Sequence, residues 1–400
     1  MKICIVVDDY LPDSAKVAAK MMHELAVEFR LRDHEVTVLT PGKNLTSPFQ
    51  INEFDQVKVI RFDSGPLKNI SKLKRLINEI LLPIKCWKAL ENYLTVNSHD
   101  YILYYSPSIF WFGLIRKLKK KWKAPSYLIL RDLFPQWVID AGLIGEFSPI
   151  AIFLRYCERQ NYKVADTIAV QSPRNKSWFS KKYKEFKNVQ VLYNWSSASK
   201  IQSASGLYRK KLNLENKVVF FYGGNIGQAQ DMRTILRLAK RFESIPKAHF
   251  LLVGAGDEFE LIKKAIKFEN ISNLTLLDSV SQDQYREMLS EFDIGLFTLS
   301  LKHKTHNFPG KILEYMCQGK PVLGSVNPGN DLQEIINIAK AGFVSVTGDD
   351  DFFYQNALQL MDPDVREACG RNGEALLKKT FSVNSAVNSI LKEYENLTNK

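Results

Sequence analysis

Apolar residues along the chain fall into short runs, each followed by a longer stretch whose apolar positions recur at helical spacing. In the first half, residues 3–7, 35–40, 57–62, 101–105, 127–131, 167–171 and 189–193 read as strands. A helix is expected from residue 14 to residue 31, with Ser14 as its cap and Asp13 beside its positive end. Another is expected over 68–94, broken or kinked at Pro83. The second half starts again in the same way, with strands at 218–222, 249–253, 274–277, 294–297, 321–324 and 342–346 and a helix over 231–241. Residues 194–206 are polar and serine-rich, as a linker is. Strands alternating with helices imply a parallel sheet covered on both faces. The pattern therefore predicts an α/β protein of two doubly wound domains, 1–195 and 196–381, with a last helix over 382–400. Each sheet would present its strand ends to a cleft between the domains.

Length agrees, since 400 residues exceed one ordinary core. Five scattered cysteines and an N-terminal apolar run that soon meets Asp8 and Asp9 suggest a reducing compartment and no secretion signal. No run approaches the roughly 18 apolar residues of a membrane span. Charge divides the halves. Residues 1–195 carry 30 Lys+Arg against 19 Asp+Glu, a net of +11, and residues 196–400 carry 25 against 24. The basic half calls for an anionic partner, or serves solubility alone.

Two segments of the basic half suit a membrane surface. Over 68–94, Ile70, Leu73, Ile77, Ile80, Ile84 and Trp87 recur at three- and four-residue steps among lysines that include Lys68, Lys72 and Lys74. Packing against the sheet would produce the same stripe. In the second segment, Phe110-Trp111-Phe112 precede a cationic run through Lys119, Lys120 and Lys121. Nucleic acid is not expected as a partner, because no recognition motif accompanies the charge.

The candidate chemistry lies in turns after strands. Tyr222-Gly223-Gly224-Asn225-Ile226-Gly227-Gln228 can bring backbone close to a phosphate, or make a plain tight turn. The richest segment runs from Asn307-Phe308-Pro309-Gly310 through Lys311-Ile312-Leu313-Glu314 to Gly319-Lys320-Pro321. A rigid turn there opens a helix whose free N–H groups, with Lys311, suit a diphosphate. Glu314, one turn on, can accept bonds from a ribose diol or simply favour the helix dipole. In the first half, Arg131 and Asp132 end a strand, where an acid can orient a hydroxyl or pair with the arginine. Asp349-Asp350-Asp351 reads as a solvated turn, not a metal site.

The order of these motifs resembles the family-4 glycosyltransferases of the GT-B fold over nearly the whole chain. The resemblance implies that Glu314 binds the donor ribose, as the second of two glutamates with seven residues between them; the first falls on His306. It implies a diphosphate cradle from the N–H groups of Gly310, Lys311 and Ile312, and a nucleotide base held near Ser279 and Val280. Many members place an arginine and a lysine where Asn225 and Gln230 stand. The segment Asn-Ile-Gly-Gln-Ala-Gln resembles an L-fucosaminyltransferase-type subgroup of O-antigen and capsule clusters, with polar groups in place of both cations. Asp132, beside Arg131, matches the position next to the reacting sugar, and Ser14 and Lys16 stand where the first helix can meet a phosphate or the acceptor. Glu158 and Asn194 also fit family positions and read as architectural.

The implied reaction is retaining transfer from a UDP-sugar, with N-acetyl-L-fucosamine as a candidate sugar, to a polyprenyl-diphosphate-linked saccharide. It needs no metal or other cofactor and takes place at the cytoplasmic face of an anionic membrane. A sugar-nucleotide 2-epimerase of the same fold and a noncatalytic nucleotide-sugar binder are the rival readings. The helix 382–400 is expected to cross back to the first domain.

Overall fold

The computed structural model describes residues 1–399 except 15, 68–69, 141, 143, 198–199, 202–203 and 302–307. The chain divides into two units, Met1–Trp195 with Val383–Lys400, and Ser196–Ser382.

The first unit is built on an eight-stranded sheet. Its strands are β1 (Lys2–Val6), β2 (Glu35–Gly42), β3 (Phe49–Phe54), β4 (Val57–Asp63), β5 (Tyr101–Ser106), β6 (Ser126–Leu130), β7 (Thr167–Val170) and β8 (Val189–Val191), in the order β3-β4-β2-β1-β5-β6-β7-β8. All pairs are parallel except β3 with β4. The central strands are buried on both faces, which is why they read as unbroken apolar runs. One face packs Leu82, Cys86, Leu90 and Leu94 of the helix Lys72–Val96 with Leu114 and Leu118 of the helix Phe112–Trp122. The other packs Met21, Leu25 and Phe29 of the helix Val17–Leu31 with Val383, Ala386, Val387 and Ile390 of the C-terminal helix Val383–Thr398.

Three local expectations are corrected. The first helix starts at Val17, not residue 14, and the Ser14 hydroxyl accepts from the Lys16 N–H at 3.2 Å, a turn within the loop, instead of capping a helix. The helix is not broken at Pro83, which lies inside Lys72–Val96. Burial of Pro83, Leu82 and Cys86 offsets the single backbone bond that proline forfeits. The antiparallel strand β3 was not foreseen; its sequence carries Gln50, Asn52 and Glu53 because it is a largely exposed edge.

The second unit is a six-stranded parallel sheet of β9 (Val218–Asn225), β10 (Ala248–Ala255), β11 (Leu274–Leu277), β12 (Ile294–Thr298), β13 (Val322–Val326) and β14 (Gly342–Val346). Its order is β11-β10-β9-β12-β13-β14. In each sheet the order reverses once, at β1/β5 in the first unit and β9/β12 in the second. Ligands of open α/β sheets bind at the carboxyl ends of strands beside such a reversal.

Candidate functional site

In the second unit, the sequence after β9 and the helix Lys311–Cys317 meet at the reversal. The Nζ of Lys311 lies 3.5 Å from the centroid of the Tyr222 ring. It also stands 3.2 Å from where a Cβ would be on Gly224, whose φ of +128° requires glycine. The floor of this turn is aromatic: a Cβ on Gly223 would run into the Tyr285 ring, and the Gly223 N–H donates to the Tyr315 hydroxyl at 3.4 Å. The Tyr315 hydroxyl in turn donates to the Leu296 carbonyl at 2.9 Å. Burial lowers the Lys311 ammonium to about 7. Among the described residues no acid pairs with it, so the turn holds a desolvated amine that an anion would charge.

Asn225 and Gln230 stand together, the Asn225 side chain donating to the Gln230 side-chain oxygen at 2.8 Å. The Gln230 carbonyl accepts from the Thr298 hydroxyl at the end of β12, and the Ser300 N–H donates to Ala229 at 2.9 Å. The loop after β9 is thereby fixed to the neighbouring strand. Glu314 accepts from the Gln282 side chain at 3.3 Å, which links it to the helix Gln282–Glu291 that follows Ser279 and Val280. Ser279 and Val280 are exposed after β11.

The expected cradle is smaller than the family pattern. The Ile312 N–H donates to the Pro309 carbonyl at 3.2 Å and is not free for a phosphate. Gly310 and Lys311 open the helix, with Gly310 already in helical conformation. His306 and Asn307 lie outside the described residues. Asp349 caps the helix Asp350–Gln359 by accepting from the Phe352 N–H at 3.0 Å, while Asp350 and Asp351 pair with Arg237 and Arg241. That triple acid serves a helix end.

In the first unit, the ends of β1 and β5 and the start of the first helix line a small hollow of about 50 Å³, formed by Val7, Asp8, Asp9, Lys16, Ala18, Met22, Tyr105 and Pro107. Lys16 reaches Asp9 at 3.0 Å. Burial raises the Asp8 carboxyl more than nearby Lys16 lowers it. The loop is tied down on its far side. The Tyr10 hydroxyl meets His23 Nδ1 at 2.9 Å, and His23 Nε2 meets Asp55 at 2.9 Å. Arg61 pairs with Asp13 at 2.9 Å and donates to the Leu11 carbonyl at 2.7 Å. Ser14 is buried, its hydroxyl engaged as described, so of the Ser14–Lys16 pair only Lys16 faces the hollow.

Asp132 is exposed just beyond β6, and desolvation by the surrounding protein still raises its carboxyl, with Arg131 pulling the other way. Asp8 and Asp132 both act on the Tyr105 hydroxyl. Arg131 is placed differently from its expected role beside the substrate. It is buried, its guanidinium 5.3 Å from the Trp195 ring centroid and donating to the Tyr193 carbonyl at 3.3 Å. Burial lowers it to about 10. Its contribution to Asp132 is charge through the protein, not a contact pair. Asp8 is the residue that sequence reasoning quoted without assigning; its signal was an acid directly after an apolar strand. Glu158 is architectural, accepting from the Tyr162 and Tyr183 hydroxyls at 2.9 and 3.0 Å.

The membrane candidates separate. Trp111 is wholly buried in the core with Leu114, Ile115 and Leu118, and so presents no face to a bilayer. Lys119 pairs with Asp166 at 2.6 Å and donates to the Val164 carbonyl. Lys74, Lys120 and Lys121 are exposed. Trp87 is half-buried with the Lys117 ammonium 4.6 Å from its ring. Lys72 begins its helix, and its side chain lies outside the described residues. Among the described residues no helix is long and apolar enough to cross a membrane.

Comparison with known proteins agrees with both halves. Residues 18–197 match the model "Glycosyltransferase Family 4" and residues 206–376 the model "Glycosyl transferases group 1". The chain is 23% identical over 344 residues to the putative colanic acid biosynthesis glycosyl transferase WcaI of Escherichia coli, covering 80% of this chain and 82% of that one. Anabaena HepE, solved with UDP and glucose, superposes with a TM-score of 0.69 at 15% identity over 99% of this chain and all of that one. WaaG, a glycosyltransferase involved in lipopolysaccharide biosynthesis, superposes with a TM-score of 0.66 at 16% identity over the whole of both chains. With a glycosyltransferase family model matched in each half and this fold in both neighbours, the two halves are glycosyltransferase domains arranged as the two Rossmann-like domains of the GT-B fold.

Proposed function

We propose that this chain transfers a sugar from a UDP-sugar to a lipid-linked saccharide, with retention of configuration, in the synthesis of a bacterial surface polysaccharide such as O-antigen or capsule. The reading rests on one observation above the others: an unpaired, desolvated Lys311 set against the glycine turn at the β9/β12 reversal. A diphosphate seated there would meet Lys311, the backbone around Gly224 and the Asn225–Gln230 pair, with Glu314 placed for the ribose and Ser279 and Val280 for the base. The names of relatives support the rest. WcaI is described for colanic acid, WaaG for lipopolysaccharide, and HepE was solved with UDP and glucose. N-acetyl-L-fucosamine is the proposed sugar, from the Asn-Ile-Gly-Gln-Ala-Gln segment alone.

In the reaction, the bond from the sugar's anomeric carbon to the diphosphate oxygen breaks and a bond to the acceptor oxygen forms on the same face. The acceptor proton passes to the leaving phosphate, and UDP departs. Lys311 offsets the charge that develops on the diphosphate. Asp132 orients the sugar or steadies positive charge at the reacting carbon. The deciding experiment is a panel of nucleotide sugars incubated with polyprenyl-diphosphate-linked saccharides. Transfer with inversion, or a preference for a non-uridine donor, would overturn those parts of the reading. Absence of any transfer across the panel would overturn the whole.

A further inference from the structure

The first unit exposes an apolar surface on a helix that the sequence pattern did not single out, beside the segment 68–94 that it did. At the start of the helix Pro149–Val164, Phe147 is 83% exposed, Ile152 60% and Tyr156 57%, with Ile150 and Phe153 also at the surface. Phe147 precedes the helix cap Ser148, and the other four lie on one outward arc of the helix's first two turns. Farther along, the same side turns to Arg159 and Lys163. The inward face, with Ala151, Leu154 and Cys157, is buried.

This surface continues onto the helix Lys72–Val96. The core side of that helix is Leu82, Cys86, Leu90 and Leu94, so its other stripe is not needed for the core. Ile80 and Leu76 from that stripe pack with Leu154, Cys157 and Phe112 in a small cluster apart from the main core. Ile77 and Ile84, their neighbours on the helix, remain about half exposed. Two helices thus share one shallow cluster and leave large apolar side chains uncovered at its edge. Phe134, two residues beyond Asp132, belongs to the same cluster.

The charge around it is one-sided. Lys74, Lys88, Arg116 and Lys117 are exposed on the two neighbouring helices. Of the nearby acids, Glu79 is paired with Arg75 at 2.8 Å and Glu146 with Arg155 at 3.1 Å. Over residues 101–195 there are 16 Lys+Arg and 6 Asp+Glu. Aromatic and branched apolar groups that project from a surface rimmed by exposed cations match an interface of acyl chains below anionic headgroups.

The geometry points to this surface, centred on Phe147, Ile152, Phe153 and Ile77, as the face that docks on an anionic lipid bilayer. The inference deepens the proposed function and rests on its lipid-linked acceptor, because it sets the segment carrying Asp132 beside the headgroups. It also moves the contact away from Trp111 and Lys119, which the fold uses internally.

The test is co-sedimentation of the full chain with phosphatidylcholine vesicles that contain or lack phosphatidylglycerol, at low and high salt. The native chain should sediment with the phosphatidylglycerol vesicles and be released by salt. Phe147→Asp with Phe153→Asp should cut that partition by about tenfold or more, while the melting temperature and UDP affinity stay unchanged. Lys88→Glu with Lys117→Glu should remove the preference for phosphatidylglycerol. Equal partition of the native and double-Asp chains would overturn the surface. So would no partition of the native chain, or a dimer in sedimentation velocity that the double-Asp change abolishes in its place. Vesicle binding by a chain that transfers no sugar would keep the surface and remove the transferase reading. Transfer to a water-soluble acceptor by a chain that ignores vesicles would do the reverse.

Discussion

Lys311 sits against the face of Tyr222, Nζ to ring centroid 3.5 Å, inside a domain where no described acid neutralises it. A cation over an aromatic face is attracted to it, yet desolvation wins here and lowers the amine to about 7. The domain is therefore prepared for negative charge before any ligand arrives.

A pH dependence with a definite sign follows. UDP favours the protonated amine, so binding raises the pKa of Lys311 and takes up a proton near neutrality. Affinity should be full below pH 7 and fall as pH rises, approaching about tenfold per unit until the pKa of the complex is reached. Calorimetry in buffers of different ionisation enthalpy measures the uptake directly. Lys311→Arg, which stays charged, should flatten the profile, and Lys311→Met should bind weakly at every pH.

Gly224 supplies the backbone side of the same arrangement. Its φ of +128° is poorly tolerated by a side chain, and an added Cβ would press on the Lys311 ammonium at 3.2 Å. Gly224→Ala should cost about 1–3 kcal/mol of stability from backbone strain. UDP binding should weaken by more than that strain alone would cause at a neutral turn. Thermal melts with and without UDP separate the two effects.

How much of this was legible depended on how local each feature is. The glycine turn, Lys311 and Glu314 could be read because a strand end and a helix start are short-range patterns. The approach of Lys311 to Gly224 could not, because it joins residues 87 positions apart through the order of the sheet. The Asn225–Gln230 bond was equally hidden, although both residues were named. Trp111 misled for a different reason. Aromatic groups before a lysine run suit an interface or the buried end of a helix, and the spacing of Trp111 with Leu114, Ile115 and Leu118 belonged to the second. β3 escaped because an exposed edge strand has no apolar run to announce it.

Glu314 accepts from Gln282 at 3.3 Å, and a ribose diol would take over its lone pairs. A hydrogen bond to a charged group contributes about 1.5–3 kcal/mol. Glu314→Ala should therefore weaken UDP by about tenfold to a hundredfold. Thymidine diphosphate, which lacks the 2′-hydroxyl, should lose less than UDP does when the variant replaces the native chain. Equal losses for the two nucleotides would remove the ribose assignment.

Asp132 is the sharpest test of which domain does the chemistry. It lies in the first unit, whereas Lys311, Glu314 and the Asn225–Gln230 pair lie in the second. Asp132→Asn should keep UDP affinity and abolish transfer. Desolvation raises its carboxyl above the ordinary value, so the acid limb of kcat/KM should stand above that of a free aspartate. The carboxylate is the working form, so activity should be lost as pH falls through that limb and be full above it. Asp8→Asn separates this limb from the second raised acid near Tyr105. If the limb stays in place in Asp8→Asn and transfer persists, it belongs to Asp132. If Asp8→Asn moves the limb instead, Asp8 is the titrating group and Asp132 serves only to position the sugar.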